Sequence, residues 1–301
     1  MLKNRSEYSL GLLFGFSSYI LWGLFPLYWP LLEPANPLEI VSHRAVWTLV
    51  FCAIILAITR QLAATIKVMK QPRIFIGLLA TTSLISINWI TYIWATNNGH
   101  VVEAALGYYI NPLIIIGLGV FILREKLRTL QWVAVAIATI GVAILTIDYG
   151  RLPWIAISLA LSWGLYGFIK KKLNLGALDG LAIETFISLI PYGFYLLYLA
   201  NNGTGQFGNG VLLTTLLICA GAVTAIPLLL FNGATTRLPY STIGLLQYIT
   251  PTITFVIGVW VRHEEMPPAR WIGFVVIWCA LCALGTDLIR SSRAIDNRIA
   301  Q

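Results

Sequence analysis

Glu103, Gly107 and Asn111 recur at intervals of four inside a run otherwise apolar enough to cross a bilayer, and Pro112 follows at once. Residues four apart share one face of a helix. A carboxylate and an amide on that face can carry a proton and hydrogen-bond a polar solute. Proline supplies no N–H and displaces the carbonyl four residues earlier, here that of Tyr108. A second set reads the same way: Pro251 frees the carbonyl of Gln247, and Thr250 lies three residues beyond Gln247. Freed backbone groups survive in a membrane only where protein or a water-filled cavity meets them. A third set is the stripe Asn88, Tyr92 and Trp94, continued by Asn97 and Asn98, with Phe231, Asn232 and Thr235 at the matching place farther on. The chemistry these types support is solute binding. The competing reading is that Asn and Thr only join helices, at about 0.6 kcal/mol per hydrogen bond.

His43 and Arg44 are the costlier pair, since an Arg at mid-helix is penalised by about 2.5–3.5 kcal/mol. A carboxylate partner would relieve it. Glu39 lies one turn from His43, and Glu184 stands at the matching position of the second half of the chain. Structural pairing across the two halves and proton or substrate coupling through a titrating His both remain open. Glu103 is a further proton-carrier candidate, unless it only caps its helix.

These residues need membrane-spanning helices to position them. With 58% hydrophobic residues, 11% charged residues and a mean hydropathy of +0.81 over 301 residues, the chain has too little charge to cover a soluble core. Ten apolar spans are predicted: 9–32, 37–59, 74–96, 101–123, 129–147, 152–169, 180–200, 210–232, 239–261 and 269–289. Each is about long enough for a ~30 Å hydrocarbon layer. Sixteen of the 20 Lys and Arg fall at the N-terminus, between alternate spans or after the last one. The positive-inside rule then puts both termini in the cytoplasm. The net charge of +8 is spread over these short connections, so it reads as topology and no nucleic-acid partner is expected.

The chain also repeats. ILWGL (20–24) matches LSWGL (161–165) at a shift of 141, and YINP (109–112) matches YITP (248–251) at a shift of 139. Glu125 and Trp132 match Glu264 and Trp271 at the same shift of 139. Two units of five spans follow, 1–149 and 150–301. An odd number of spans turns the second unit upside down, a plan of secondary transporters with the solute site where the repeats meet.

No cofactor or metal is expected. Cys279 and Cys282 form a C-x-x-C, but they lie mid-span without a neighbouring His or carboxylate, as small packing residues do. The chain carries no G-x-x-x-x-G-K-[S/T], G-x-S-x-G or H-E-x-x-H, so neither ATP-driven pumping nor hydrolysis is indicated. A passive channel and an intramembrane enzyme stay as alternatives. Small-residue spacings are too frequent to assign a homodimer face.

The motifs SHRAVW (42–47), NWITYIWATNN (88–98), EAALGYYINPL (103–113) and TRLPYSTIGLLQYITPT (236–252) resemble RarD-type permeases of the EamA branch of the drug/metabolite transporter superfamily. The resemblance runs over essentially the whole chain. It implies ten helices in two inverted five-helix repeats in a bacterial inner membrane. It also implies a central cavity lined by the third, fourth, eighth and ninth helices, and export of small metabolites or drugs. Asn88, Trp94, Asn97, Glu103, Tyr108, Asn111 and Gln247 are the positions it carries over. The type is named for an association with chloramphenicol sensitivity, and fold likeness fixes no substrate.

Overall fold

A computed structural model describes residues 2–97, 101–149 and 154–261, with positions 271, 272, 275, 276, 279 and 286. The tenth predicted span, 269–289, lies outside the described residues except at those isolated positions.

The fold is all-α, with no strand among the described residues. Its helices are α1 (Leu2–Gly23), α2 (Phe25–Tyr28), α3 (Pro37–Ile58), α4 (Leu62–Met69), α5 (Pro72–Asn97) and α6 (Val101–Gly117). Then come α7 (Thr129–Tyr149), α8 (Trp154–Leu173), α9 (Ala177–Asn202), α10 (Val211–Arg237), α11 (Tyr240–Leu246) and α12 (Ile249–Val256). Nine predicted spans coincide with these helices. The short α4, between the second and third spans, was not expected as a helix. Local chemistry sets the boundaries. Asn36 caps α3, its Oδ1 accepting the Glu39 N–H at 2.9 Å, with Pro37 as the first helical residue. Gly203 ends α9 in the left-handed region at φ 63°, where other residues are strained.

Among the described residues five stretches are long and apolar enough to cross a bilayer: Ser6–Leu32, Pro37–Ile58, Pro72–Tyr92, Ala177–Asn202 and Val211–Arg237. Their outward faces carry bare large apolar side chains such as Ile58, Ile76, Phe194 and Leu212. In water such a surface would associate; in lipid it is the solvated face. The chain is a multi-pass membrane protein.

The two halves interlock under one approximate two-fold relation. α1 packs on α10, and the equivalent pair, α8 on α5, also packs. α3 packs on α10 and α9, and α9 in turn on α5. α6 meets α11 across the middle. Backbone detail repeats as well: α6 continues into a π-helical turn at Leu118–Ile122, and α12 into one at Ile257–Val261, 139 residues later. The two proline sites differ. The ninth span breaks at Gln247 and Tyr248, between α11 and α12, whereas α6 runs unbroken through Pro112. The expected pair of broken helices is thus realised in one half only. In the other, Gly244 lies close against the Pro112 carbonyl, so the neighbouring helix covers the proline turn.

Candidate functional site

A narrow cavity, with about 30 Å³ of space open to water, lies between α3, α5, α8, α9 and α10. Ala45 and Thr48 of α3, Ser86 and Trp89 of α5, Glu184 and Tyr192 of α9, and Thr224 of α10 are among its walls. α5 and α10 are the expected third and eighth helices. Among the described residues the fourth and ninth contribute no wall to this space, where α3, α8 and α9 take their place.

Arg44 is half-buried beside this cavity and bonded to its wall. Its Nε donates to Thr224 Oγ1 at 2.9 Å. Its guanidinium carbon lies 4.6 Å from the ring centre of Trp29 and 4.6 Å from that of Trp89, both cation–π contacts. Tyr28, Tyr108 and Tyr192 are within electrostatic reach. No carboxylate among the described residues pairs with Arg44. The expected partners are committed elsewhere: Glu184 accepts from Lys170 Nζ at 3.0 Å and from Thr81 Oγ1 at 2.5 Å. Glu39 Oε1 accepts the Gln206 N–H at 2.6 Å and lies 3.9 Å from His43 Nε2.

The geometry explains why His43 and Glu184 do not meet. Tyr192 packs between Val41 and Ala45, so His43 is level with Tyr192, while Leu181 and Ala182 of α9 pack beside Cys52 and Leu56. Eight residues along α9 separate the two levels, about 12 Å at 1.5 Å per residue. Inverted copies bring matching positions together only near their common axis, and these two lie on either side of it.

His43 is buried beneath the loop that follows α9. Its ring stacks on Phe207 at 4.8 Å, and neither ring nitrogen has a hydrogen-bond partner. At the other end of the cavity, the Lys170–Glu184 pair is itself buried. Beyond it lies a shallow cleft too tight for a water molecule, lined by Lys170, Leu78, Asn232 and Thr235.

The remaining candidates divide into groups. Tyr92 and Tyr108 meet edge-on with ring centres 5.9 Å apart, their hydroxyls pair, and both rings are about 40% accessible (39% and 41%). Asn88 ties α5 to α8, its Nδ2 donating to Leu159 O at 2.9 Å and Ser162 Oγ at 3.0 Å. Trp94 lies against Trp154 at 5.6 Å. Asn111 and Gln247 are buried on α6 and at the α11–α12 break, each with an amide oxygen lacking a partner. Thr250 donates to Tyr19 O at 2.9 Å, joining α12 to α1. The side chains of Asn97 and Glu103 lie outside the described residues.

Sequence reasoning missed Trp29, Trp89, Tyr192 and Thr224, as well as Lys170 and Phe207. Lys170 was hidden among three consecutive lysines that read as a surface charge run. Trp89 sits inside the quoted stripe next to Asn88, but the polar side chains drew attention from it. Among the described residues, no group of His, Cys, Asp and Glu is arranged to hold a metal ion.

Interlocked halves around a mostly apolar intramembrane cavity edged by a few polar side chains fit a transporter architecture. The EamA-like transporter family matches residues 9–147 and again 153–286, and the chain belongs to it. It is 48% identical over 300 residues to Protein RarD of Streptomyces exfoliatus, covering 99% of this chain and 95% of that one. It is 43% identical to the uncharacterized transporter YojE of Bacillus subtilis, covering 97% and 98%. A solved crystal structure at 17% identity shares the fold, with a TM-score of 0.69 over 94% of this chain and 98% of the other. The family is one of membrane transporters, not enzymes.

Proposed function

We propose that the protein is a secondary-active exporter of small amphipathic or zwitterionic solutes, amino acids and chloramphenicol-like compounds among them. It works by alternating access in a bacterial inner membrane, with both termini cytoplasmic and repeats dividing at 149/150. The observation that carries this reading is one ion pair between two spaces. Glu184 lines the larger cavity, and its partner Lys170 lines the smaller one beyond. Charges within the membrane are retained where they line a pathway or work a gate. With the lysine-rich end of α8 inside, the Lys170–Glu184–Thr81 cluster is the inner gate, and Phe207 over His43 closes the outer side. Separating Glu184 from Lys170 lets the inner side part. Protons entering through Glu103 or the His43–Glu39 neighbourhood would supply the drive.

Counterflow in proteoliposomes tests the reading. A transporter gives saturable exchange of labelled solute with trans-stimulation. A channel equilibrates without it, and an enzyme changes the solute. Glu103→Gln is expected to abolish pH-gradient-driven uptake into inverted vesicles; an unchanged gradient dependence would remove Glu103 from the mechanism.

A further inference from the structure

We infer that Arg44 is the docking point for the carboxylate of a flat, partly apolar organic acid, which narrows the solute class of the cavity and rests on the transporter reading above. An Arg guanidinium has five N–H donors in a planar fork. Thr224 takes the one on Nε. No acceptor among the described residues takes the four on the Nη atoms, and these atoms are not sealed from access as the His43 nitrogens are. Two indole rings hold the guanidinium from its sides, and the Thr224 bond fixes its rotation. The fork is therefore preoriented with its outer edge open, the geometry a carboxylate grips with two parallel bonds.

Energetics point the same way. A charge this deep is costly without an anion, and proteins retain one where it meets substrate. Here both nearby carboxylates are held by other groups, Glu184 by Lys170 and Glu39 by the Gln206 amide. They cannot neutralise Arg44 without releasing those contacts. The surroundings also set the rest of the ligand. Tyr108 lies within electrostatic reach of the guanidinium and is partly accessible, and Tyr92 packs edge-on against it, together a surface suited to a planar apolar body.

The experiment compares phenylacetate with its uncharged counterpart phenylacetamide on the full chain in nanodiscs, read as ligand-induced shifts in thermal unfolding. Phenylacetate is expected to stabilise the protein saturably, with a midpoint at least about tenfold lower than phenylacetamide. Arg44→Lys keeps the charge but loses the fork, so its phenylacetate midpoint rises by about tenfold or more. Arg44→Gln abolishes the preference for the acid. Should Arg44→Gln fold poorly, Thr224→Val leaves the charge in place and still weakens the acid several-fold by freeing Nε. Equal midpoints for acid and amide in the unmodified protein, or an acid preference that persists in Arg44→Gln, overturns the assignment. Counterflow separates the two proposals. Arg44-dependent binding of phenylacetate without its exchange supports the site and refutes the transporter reading. Exchange of solutes that ignores Arg44→Gln supports the transporter reading and refutes the site.

Discussion

Trp22 and Trp163 occupy the same position in the two halves, 141 residues apart, and their rings touch edge-on with centres 5.2 Å apart. Phe231 lies against both, at 5.5 and 5.4 Å. The pseudo-two-fold axis therefore passes through an aromatic cluster. This pair should couple energetically. In a double-mutant cycle with Trp22→Leu and Trp163→Leu, we expect a coupling of about 0.5–1.5 kcal/mol in detergent unfolding. Strict additivity would remove the rings from the axis.

The Lys170–Glu184 pair predicts a different pattern. Breaking it from one side leaves an uncompensated buried charge, so Lys170→Met alone should cost about 3–5 kcal/mol. Lys170→Met with Glu184→Gln should recover most of that stability. If the pair also acts as the inner gate, the double variant leaks solute without trans-stimulation. A double variant as unstable as the single one would contradict the pairing.

Gly221 of α10 faces the backbone of Trp47 so closely that a methyl group there would overlap it. Thr48 Oγ1 donates to the Gly221 carbonyl at 3.1 Å in the same contact. Gly221→Ala is expected to cost roughly 1–3 kcal/mol by forcing α3 and α10 apart. The measurement is the unfolding midpoint in a graded denaturing detergent. An unchanged midpoint would show that the helices yield freely at this crossing.

Phe207 stacks on His43 and lies 6.1 Å from the Trp47 ring centre. Its loop contains Gly208 and Gly210 at φ 92° and 139°, conformations open to glycine. Phe207→Ala should uncover position 43. In a His43→Cys background, a membrane-impermeant maleimide added outside is expected to react about tenfold faster once Phe207 is removed. Equal rates would show that Phe207 does not seal the site.

The fold was legible in the sequence because hydropathy and repeated motifs both express the same repeated plan. The helix spans and the equivalence of Leu118–Ile122 with Ile257–Val261 follow from it. The site was less legible. Periodicity put Asn111 on a polar stripe with Glu103, yet a stripe does not reveal which neighbour covers it. Asn88 turned out to hold α8, and Trp94 to lie on Trp154. The matching of His43 with Glu184 suggested contact, but inversion carries matched residues to opposite sides of the axis unless they lie on it. Arg44 was found from the sequence as a cost; that aromatic rings from α5 and the segment after α2 would surround it needed three dimensions.

The interlocking of α1 with α10 and of α5 with α8 has a consequence for biogenesis. Until α9 and α10 leave the ribosome, Arg44 lacks Thr224, and the face of α3 that packs on those two helices has only lipid to meet. The helices up to α7 are thus an incomplete object in the bilayer, held for completion by those from α8 onward. A chain cut between the repeats should be cleared by quality-control proteases unless its other half is synthesised alongside it.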